Sequence, residues 1–186
     1  MNVEKTPLEG VLILEPRVFG DDRGWFYESF NAARFNEIVG KEVSFVQDNH
    51  SRSGRGVLRG IHFQTAGAAQ GKLVRATAGE IFDIAVDLRK SSPTFGQWTG
   101  ALLSAENKRQ LWVPAGFGHA FVVTGEMAEV QYKVDAYWSP DHERSLRWDD
   151  PSVGIDWPDV GEIQLSDKDR VAPDLNLLNA QGDLFE

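Results

Sequence analysis

The stretch GVLRGIHFQ, Gly56–Gln64, decides how the rest of the chain is read. Val57, Leu58, Ile61 and Phe63 supply β-prone apolar bulk, and Gly54 and Gly56 punctuate the approach, so the stretch reads as a strand. Arg59, His62 and Gln64 are set into that apolar run. Simple alternation puts Gly60, His62 and Gln64 on one face, with open space at Gly60 beside the imidazole. Arg59 has the opposite parity, so it shares a pocket with His62 only if the strand bulges near Gly60. A lone histidine in such a strand also fits a hydrogen-bonded core residue. Its surroundings argue for more: no acidic residue lies between Asp48 and Glu80, whereas Arg52, Arg55, Arg59, Lys72 and Arg75 all do. A cationic segment in an acidic chain suits an anionic small molecule.

The length of 186 residues suggests one domain spanning 1–186, with 171–186 as a C-terminal tail. A formal net charge of −9 argues against nucleic acid or an anionic membrane surface as the main partner. No apolar run reaches the length of a membrane span, and the first ten residues do not read as a signal peptide. The absence of cysteine removes disulfides, thiolate ligands and a cysteine nucleophile, and a cytoplasmic setting is the expectation.

Strand signals recur at Val11–Leu14, Trp25–Phe30, Val43–Gln47, Lys72–Thr77, Glu80–Leu88, Trp98–Leu103, Arg109–Val113, His119–Thr124 and Met127–Trp138. Residues Phe19–Gly24, Ala78-Gly79 and Thr124–Glu126 read as turns, and Asp48–Gly56 and Thr65–Gly71 as loops. Asn31–Val39 fits a short helix capped by Asn31. The tail from Arg170 packs as a short helix or frays. So many strands with so little β-α alternation predict an all-β antiparallel sandwich or barrel.

The glycine patterns at Gly54–Gly60 and Gly67–Lys72 match neither a dinucleotide fingerprint nor a P-loop and read as loop glycines. A metal site is also poorly supported. Gln64 stands where a metal-binding barrel of the cupin type would carry its second histidine, and His119 has no ligand pair nearby. Asp83 lies in the apolar run Ile81–Leu88 and needs a partner if buried, with Lys72 the obvious candidate. Tyr132 alternates with Val130 and Val134 and should point inward. Asp169, in Ser166-Asp-Lys-Asp169, reads as a surface acid.

Taken in order, several segments resemble the dTDP-4-dehydrorhamnose 3,5-epimerases. They are Asp22–Glu28, Gln47–Ser53, Leu58–Gln64, Gln70–Arg75, Phe82–Arg89, Trp112–His119, Tyr132-Lys133, Ser139–Glu143 and Leu165–Asp169. The resemblance runs from about residue 8 to 173. It implies a cupin-like jelly roll needing no metal or other cofactor. The implied reaction is epimerisation at C3 and C5 of a dTDP-linked 4-keto-6-deoxy sugar, and the implied assembly a homodimer. It further implies His62 as catalytic base with Asp169 as its carboxylate, Tyr132 as proton donor, and Lys72 near the keto oxygen with Asp83 beside it. Arg23, Glu28, Gln47, Asn49, Arg59, His119, Glu143 and Lys168 fall at substrate-contacting positions, with Phe26 and Trp138 as packing surfaces. Trp138 stands where this family usually has a tyrosine. A relative that inverts only C3 or only C5 shares most of these motifs. A sugar-binding protein without catalysis and a metal-dependent cupin enzyme are the readings from other classes.

Overall fold

The computed structural model describes all 186 residues. The elements run β1 (Asn2–Lys5), β2 (Leu12–Glu15), β3 (Phe19–Asp21), β4 (Gly24–Phe26), α1 (Ala32–Val39), β5 (Gln47–Gly54), β6 (Leu58–Gln64), β7 (Lys72–Asp87), β8 (Trp98–Ser104), β9 (Gln110–Val113), β10 (Phe117–Val134), β11 (Glu143–Ser145), α2 (Asp167–Arg170) and α3 (Leu175–Gln181).

Two long strands organise the rest. β7 and β10 pair antiparallel from Phe117↔Asp87 to Val134↔Lys72. Composition predicts a chain reversal at Ala78-Gly79 and another at Thr124–Glu126, but at neither place does the strand end. The chain bends through a bulge, and the register shifts between Val123 and Ala128. Gly79 makes this possible: its φ is +66°, and a Cβ there would lie 1.8 Å from the Met127 carbonyl oxygen. Glycine marks a close backbone approach here rather than a hairpin turn.

Because both strands bend, each belongs to two sheets. The first half of β7 pairs with β9, and β10 beside it pairs with β5. The second half of β7 pairs with β8, and the adjoining part of β10 pairs with β6, which continues to β11. The two sheets close face to face on one apolar core, including Val74, Ile81, Leu103, Leu111, Phe121 and Val130. This is the cupin-like jelly-roll class expected, with the short two-stranded β3–β4 sheet outside it. The bend also inverts side-chain parity: Phe117, Phe121 and Val123 face the core before it, and Ala128 and Val130 after it. His119 and Tyr132 therefore both point inward despite opposite parity.

β6 behaves similarly. His62 pairs with His119 and Arg59 with Phe121, so three steps on β6 match two on β10. The extra residue is accommodated at Gly60, where φ is +133° and a Cβ would sit 2.3 Å from the Ala120 Cβ. Leu58, Ile61 and Phe63 consequently pack into apolar clusters, while Arg59 and His62 turn the other way, the bulge that the sequence required. Gly60→Ala is expected to destabilise the fold by about 3 kcal/mol through overpacking and backbone strain, lowering the melting temperature by roughly 10 °C. Calorimetry checks this, and an unchanged melting temperature would contradict the close packing.

The outer faces are covered differently. Helix α1 forms as its sequence predicts: Asn31 Oδ1 accepts from the Arg34 amide at 3.1 Å, and Gly40 closes the helix at φ +71°. It lays Phe35 against Trp112, Leu73 and Val43. Val43–Gln47 supplies side chains to this cluster instead of forming the expected strand, and the strand is β5, where composition predicts a loop. Likewise β4 stops at Phe26, because Phe30 leaves to pack against Phe35 and Phe45. Phe19–Gly24, read as a turn, forms the body of the β3–β4 hairpin. The C-terminal segment does not fray. Leu175, Leu178, Leu184 and Phe185 are buried on Ile61, Phe63, Ile84 and Val86. No helix is long and apolar enough to cross a membrane.

Candidate active site

A cleft of about 370 Å³ opens where the two sheets diverge, lined by Gln47, Asn49, His62, Phe63, Gln64, Gln70, Lys72, Tyr132, Trp138 and Glu143. β5 contributes polar residues to it because its inward positions face this opening rather than the core. His62 comes from one sheet and Tyr132 from the other, so the cleft presents ionisable groups from two walls.

His62 Nε2 lies 2.6 Å from Asp169 Oδ1. Asp169 is only 3% exposed, in contrast to the surface acid its local sequence suggests. Its position is set by α2: Ser166 caps the helix by accepting from the Asp169 amide at 3.2 Å, which turns the carboxylate inward. Burial alone would raise the Asp169 carboxyl, but hydrogen bonds from His62, Ser166 and the Gly60 backbone outweigh it and hold the group below its usual range. An ionised carboxylate only accepts, so Nε2 of neutral His62 carries the proton and Nδ1 holds the free lone pair. Burial also pulls the imidazole below its ordinary pKa, against the raising effect of Asp169. His62 is thus a neutral base near pH 7.

Lys72 does not pair with Asp83, as its position on the strand suggested. Its Nζ donates to the His62 carbonyl at 3.2 Å, while Asp83 Oδ1 lies 2.8 Å from His119 Nε2. Asp83 lies opposite Phe121 in the regular part of the β7–β10 ladder, one diagonal step from His119, which pairs with Ala85. Burial draws the Lys72 ammonium down to about 8, opposed by the charges of Asp83 and Glu143. Burial pushes Asp83 up, partly offset by His119. Asp83 Oδ2 has no hydrogen-bond partner and leaves residual negative potential behind Lys72.

Burial raises Tyr132, partly offset by the Arg59 charge, so the phenol remains protonated at neutral pH. Arg59 is anchored by its Nε donating to Ser53 Oγ at 3.0 Å, which leaves its terminal nitrogens for a ligand. Lys168 Nζ donates to Glu143 Oε1 at 2.9 Å at the rim.

Arg23, Phe26 and Glu28 are not brought to this cleft within one chain. Arg23 pairs with Asp21 on the β3–β4 turn, and Phe26 is 69% exposed. Glu28 accepts from Asn31 Nδ2 at 3.2 Å. Gln64 and Gln70 also line the cleft; alternation places Gln64 on the His62 face without giving it a role, and no local signal marks Gln70. No cluster of three or more His, Cys, Asp or Glu side chains capable of holding a metal is assembled anywhere in the chain.

The arrangement is a neutral imidazole, a phenol and an ammonium around one cleft, with arginine at its edge. It can move a proton off carbon while stabilising an oxyanion. Comparison with known proteins agrees. A family model described as dTDP-4-dehydrorhamnose 3,5-epimerase matches residues 5–176. The chain is 61% identical over 170 residues to a dTDP-4-dehydrorhamnose 3,5-epimerase from Pseudomonas aeruginosa, covering 91% of this chain and 93% of that protein. Among solved structures, it superposes on a dTDP-6-deoxy-D-glucose-3,5-epimerase from Legionella pneumophila in complex with dTDP-4-keto-L-rhamnose. The TM-score is 0.95 at 51% identity, covering 100% of this chain and 97% of that one. A 3'-monoepimerase from Streptomyces bikiniensis in complex with dTDP-quinovose aligns at TM-score 0.91 and 35% identity, covering 96% and 90% of the two chains. The match extends across the site-bearing strands as well as the fold, and the chain belongs to the dTDP-4-dehydrorhamnose 3,5-epimerase family.

Proposed function

We propose that this isomerase converts dTDP-4-dehydro-6-deoxy-D-glucose to dTDP-4-dehydro-L-rhamnose by inverting C3 and C5. The observation that carries the reading is His62, open to the cleft and paired with the buried Asp169, in the same cleft as Tyr132 and Lys72. His62 Nδ1 removes the proton from the carbon beside the C4 ketone, and the electron pair moves into the C4–O4 group as an enolate. The Lys72 ammonium stabilises the charge that develops on O4, which lowers the barrier more than it stabilises the neutral ketone. Tyr132 returns a proton to the opposite face of the same carbon. Solvent then reprotonates the phenolate and takes the proton from the imidazolium, so the step balances without a redox partner. Arg59, with Asn49, Gln47, Glu143 and Lys168, holds the nucleotide and sugar, and Asp83 with His119 supports Lys72 from behind.

Inversion at one carbon only is the second reading, because a 3'-monoepimerase shares this fold. The 61% identity to a protein named as a 3,5-epimerase favours the first. Proton NMR of the keto-sugar in D2O separates them. Deuterium at both C3 and C5 is expected, deuterium at one carbon selects the monoepimerase, and none at either carbon overturns both. In the same assay Tyr132→Phe is expected to slow product formation by about 10²-fold while proton removal continues. Equal loss of both would remove its donor role.

A homodimer completes this reading. Phe19, Trp25 and Phe26 are exposed on the β3–β4 hairpin, a surface suited to cover by a second copy. Such an association is also a route for Arg23, Phe26 and Glu28 to reach bound substrate. Sedimentation velocity at twice the monomer mass is the expected result. The working compartment is the cytoplasm, in keeping with the cysteine-free sequence.

A further inference from the structure

Gln64 is 4% exposed, and its amide is fully engaged with main chain. Nε2 donates to the carbonyls of Ala68 at 2.7 Å and Tyr137 at 3.2 Å, while Oε1 accepts from the Ser139 amide at 2.6 Å. The loop just after β10 is gripped from two further sides. Gln70 Nε2 donates to the Ala136 carbonyl at 2.6 Å, and Gln47 Oε1 accepts from the Trp138 amide at 3.2 Å. Three glutamine side chains from three different segments therefore hold four consecutive residues, Ala136–Ser139. The loop's side chains do little to hold it: Tyr137 and Trp138 are 69% and 58% exposed. Ser139 is also tied to the turn that follows, its carbonyl accepting from the His142 and Glu143 amides and its Oγ lying 2.8 Å from His142 Nδ1, but the side-chain bonds to the main chain of Ala136, Tyr137 and Trp138 come from glutamines.

Resting on the reading of this cleft as a nucleotide-sugar site, we infer that Gln64, aided by Gln70, is a positioning residue. It fixes the Ala136–Ser139 loop so that Trp138 forms a preformed wall for the bound nucleotide sugar. Gln64 projects from the same strand as His62, two residues on, so the wall and the base are referenced to one rigid element. Glutamine suits this task because one side chain offers two donors and an acceptor at once. A histidine at 64 could not satisfy all three main-chain groups.

The test uses the conversion of donors into acceptors. In Gln64→Glu, the protonated acid still donates one hydrogen bond, whereas the carboxylate faces the carbonyls of Ala68 and Tyr137 with no proton to offer. Ionisation should therefore release the loop. The titratable groups around this end of the cleft are His62 on the same strand, Lys72 on β7 and Glu143 on β11. His142, beside Gly67, Lys168, bonded to Glu143, and Tyr132 across the cleft also face it, as does Asp135, which precedes the loop, accepts from the Gly71 amide at 2.6 Å and is pushed up by burial. Their own titrations are removed by expressing every value as a variant-to-wild-type ratio.

The probe is dTDP, its Kd followed by quenching of Trp138 fluorescence, with Trp138→Phe as the control that removes the signal. The Kd ratio for Gln64→Glu is expected to rise at least tenfold between pH 5.5 and 8 and to recover reversibly on return to low pH. Over the same range, kcat should change less than KM. Gln70→Glu should show the same trend with smaller amplitude. A Kd ratio that stays flat with pH in both variants overturns the proposal, as does a loss confined to kcat. Wild-type protein that neither binds dTDP nor exchanges substrate protons would instead defeat the reading of the cleft on which the proposal rests.

Discussion

His62→Ala is expected to lower turnover by about 10³-fold or more, the upper part of the range for removing a general base. Affinity for dTDP should stay within about threefold of wild type. The imidazole meets the cleft through Nδ1, while its other nitrogen is committed to Asp169 at 2.6 Å, so removal takes away the base without dismantling the walls. The measurement is deuterium incorporation into the keto-sugar, run beside dTDP binding by calorimetry. A full loss of binding would make His62 a structural residue, the bland reading its strand sequence allows. Asp169→Asn provides a second check with a sign. The carboxylate raises the His62 pKa by hydrogen bond and by charge, so its removal lets that pKa fall further. The acid limb of the rate profile should then move to lower pH while the maximum drops by roughly 10–100-fold, as expected for a lost orienting partner. An acid limb that moves upward would contradict the assignment.

Lys72→Met should cost about 10²–10³-fold in kcat/KM, the magnitude for removing one group aimed at a developing oxyanion. The pH profile gives the sharper test. In the wild type, rate falls on the acid side as His62 gains a proton, at a pKa held below its ordinary value by burial. It falls on the alkaline side as Lys72 loses its proton, near a pKa of about 8. A bell is therefore expected, with its alkaline limb near pH 8, more than two units below where an exposed lysine titrates. In Lys72→Met the acid limb should remain and the alkaline limb should disappear. An alkaline limb unchanged in the variant would assign it to another group, with Tyr132 excluded because burial moves its pKa upward.

Much of this was legible without coordinates, and the exceptions share a cause. The apolar alternation around Gly56–Gln64 and the frequency of strand signals were enough for an antiparallel β fold, since period-two burial is a local property of the chain. The acid-free window holding Arg52, Arg55, Arg59, Lys72 and Arg75 suggests an anionic ligand, and of these the fold sets Lys72 in the cleft, with Arg59 near Tyr132, while Arg55 bonds the Thr124 carbonyl and Arg75 bonds Gln131. The family's motifs named His62, Lys72, Tyr132 and Asp169 together. Local rules failed wherever a residue's environment came from far along the chain. β5 looked like a loop because its inward residues line a cleft, so no apolar alternation marks it. Gly79 looked like a turn because the glycine needed for a close backbone approach is the same residue that favours a hairpin.

What the sequence determined by itself is the class of fold and, through resemblance, the family and its chemistry. Only the tertiary structure decided which groups meet. The bulge at Gly60 brings Arg59 onto the His62 side, the bend near Gly79 lets His119 and Tyr132 both face inward, and the ladder gives Asp83 to His119 instead of Lys72. It takes the Ser166 cap to turn Asp169 inward, from 107 residues away, onto His62. Hydrophobic pattern is written residue by residue and can be read from the chain. A one-residue register shift leaves the composition of a strand unaltered and becomes visible only in the partner it faces.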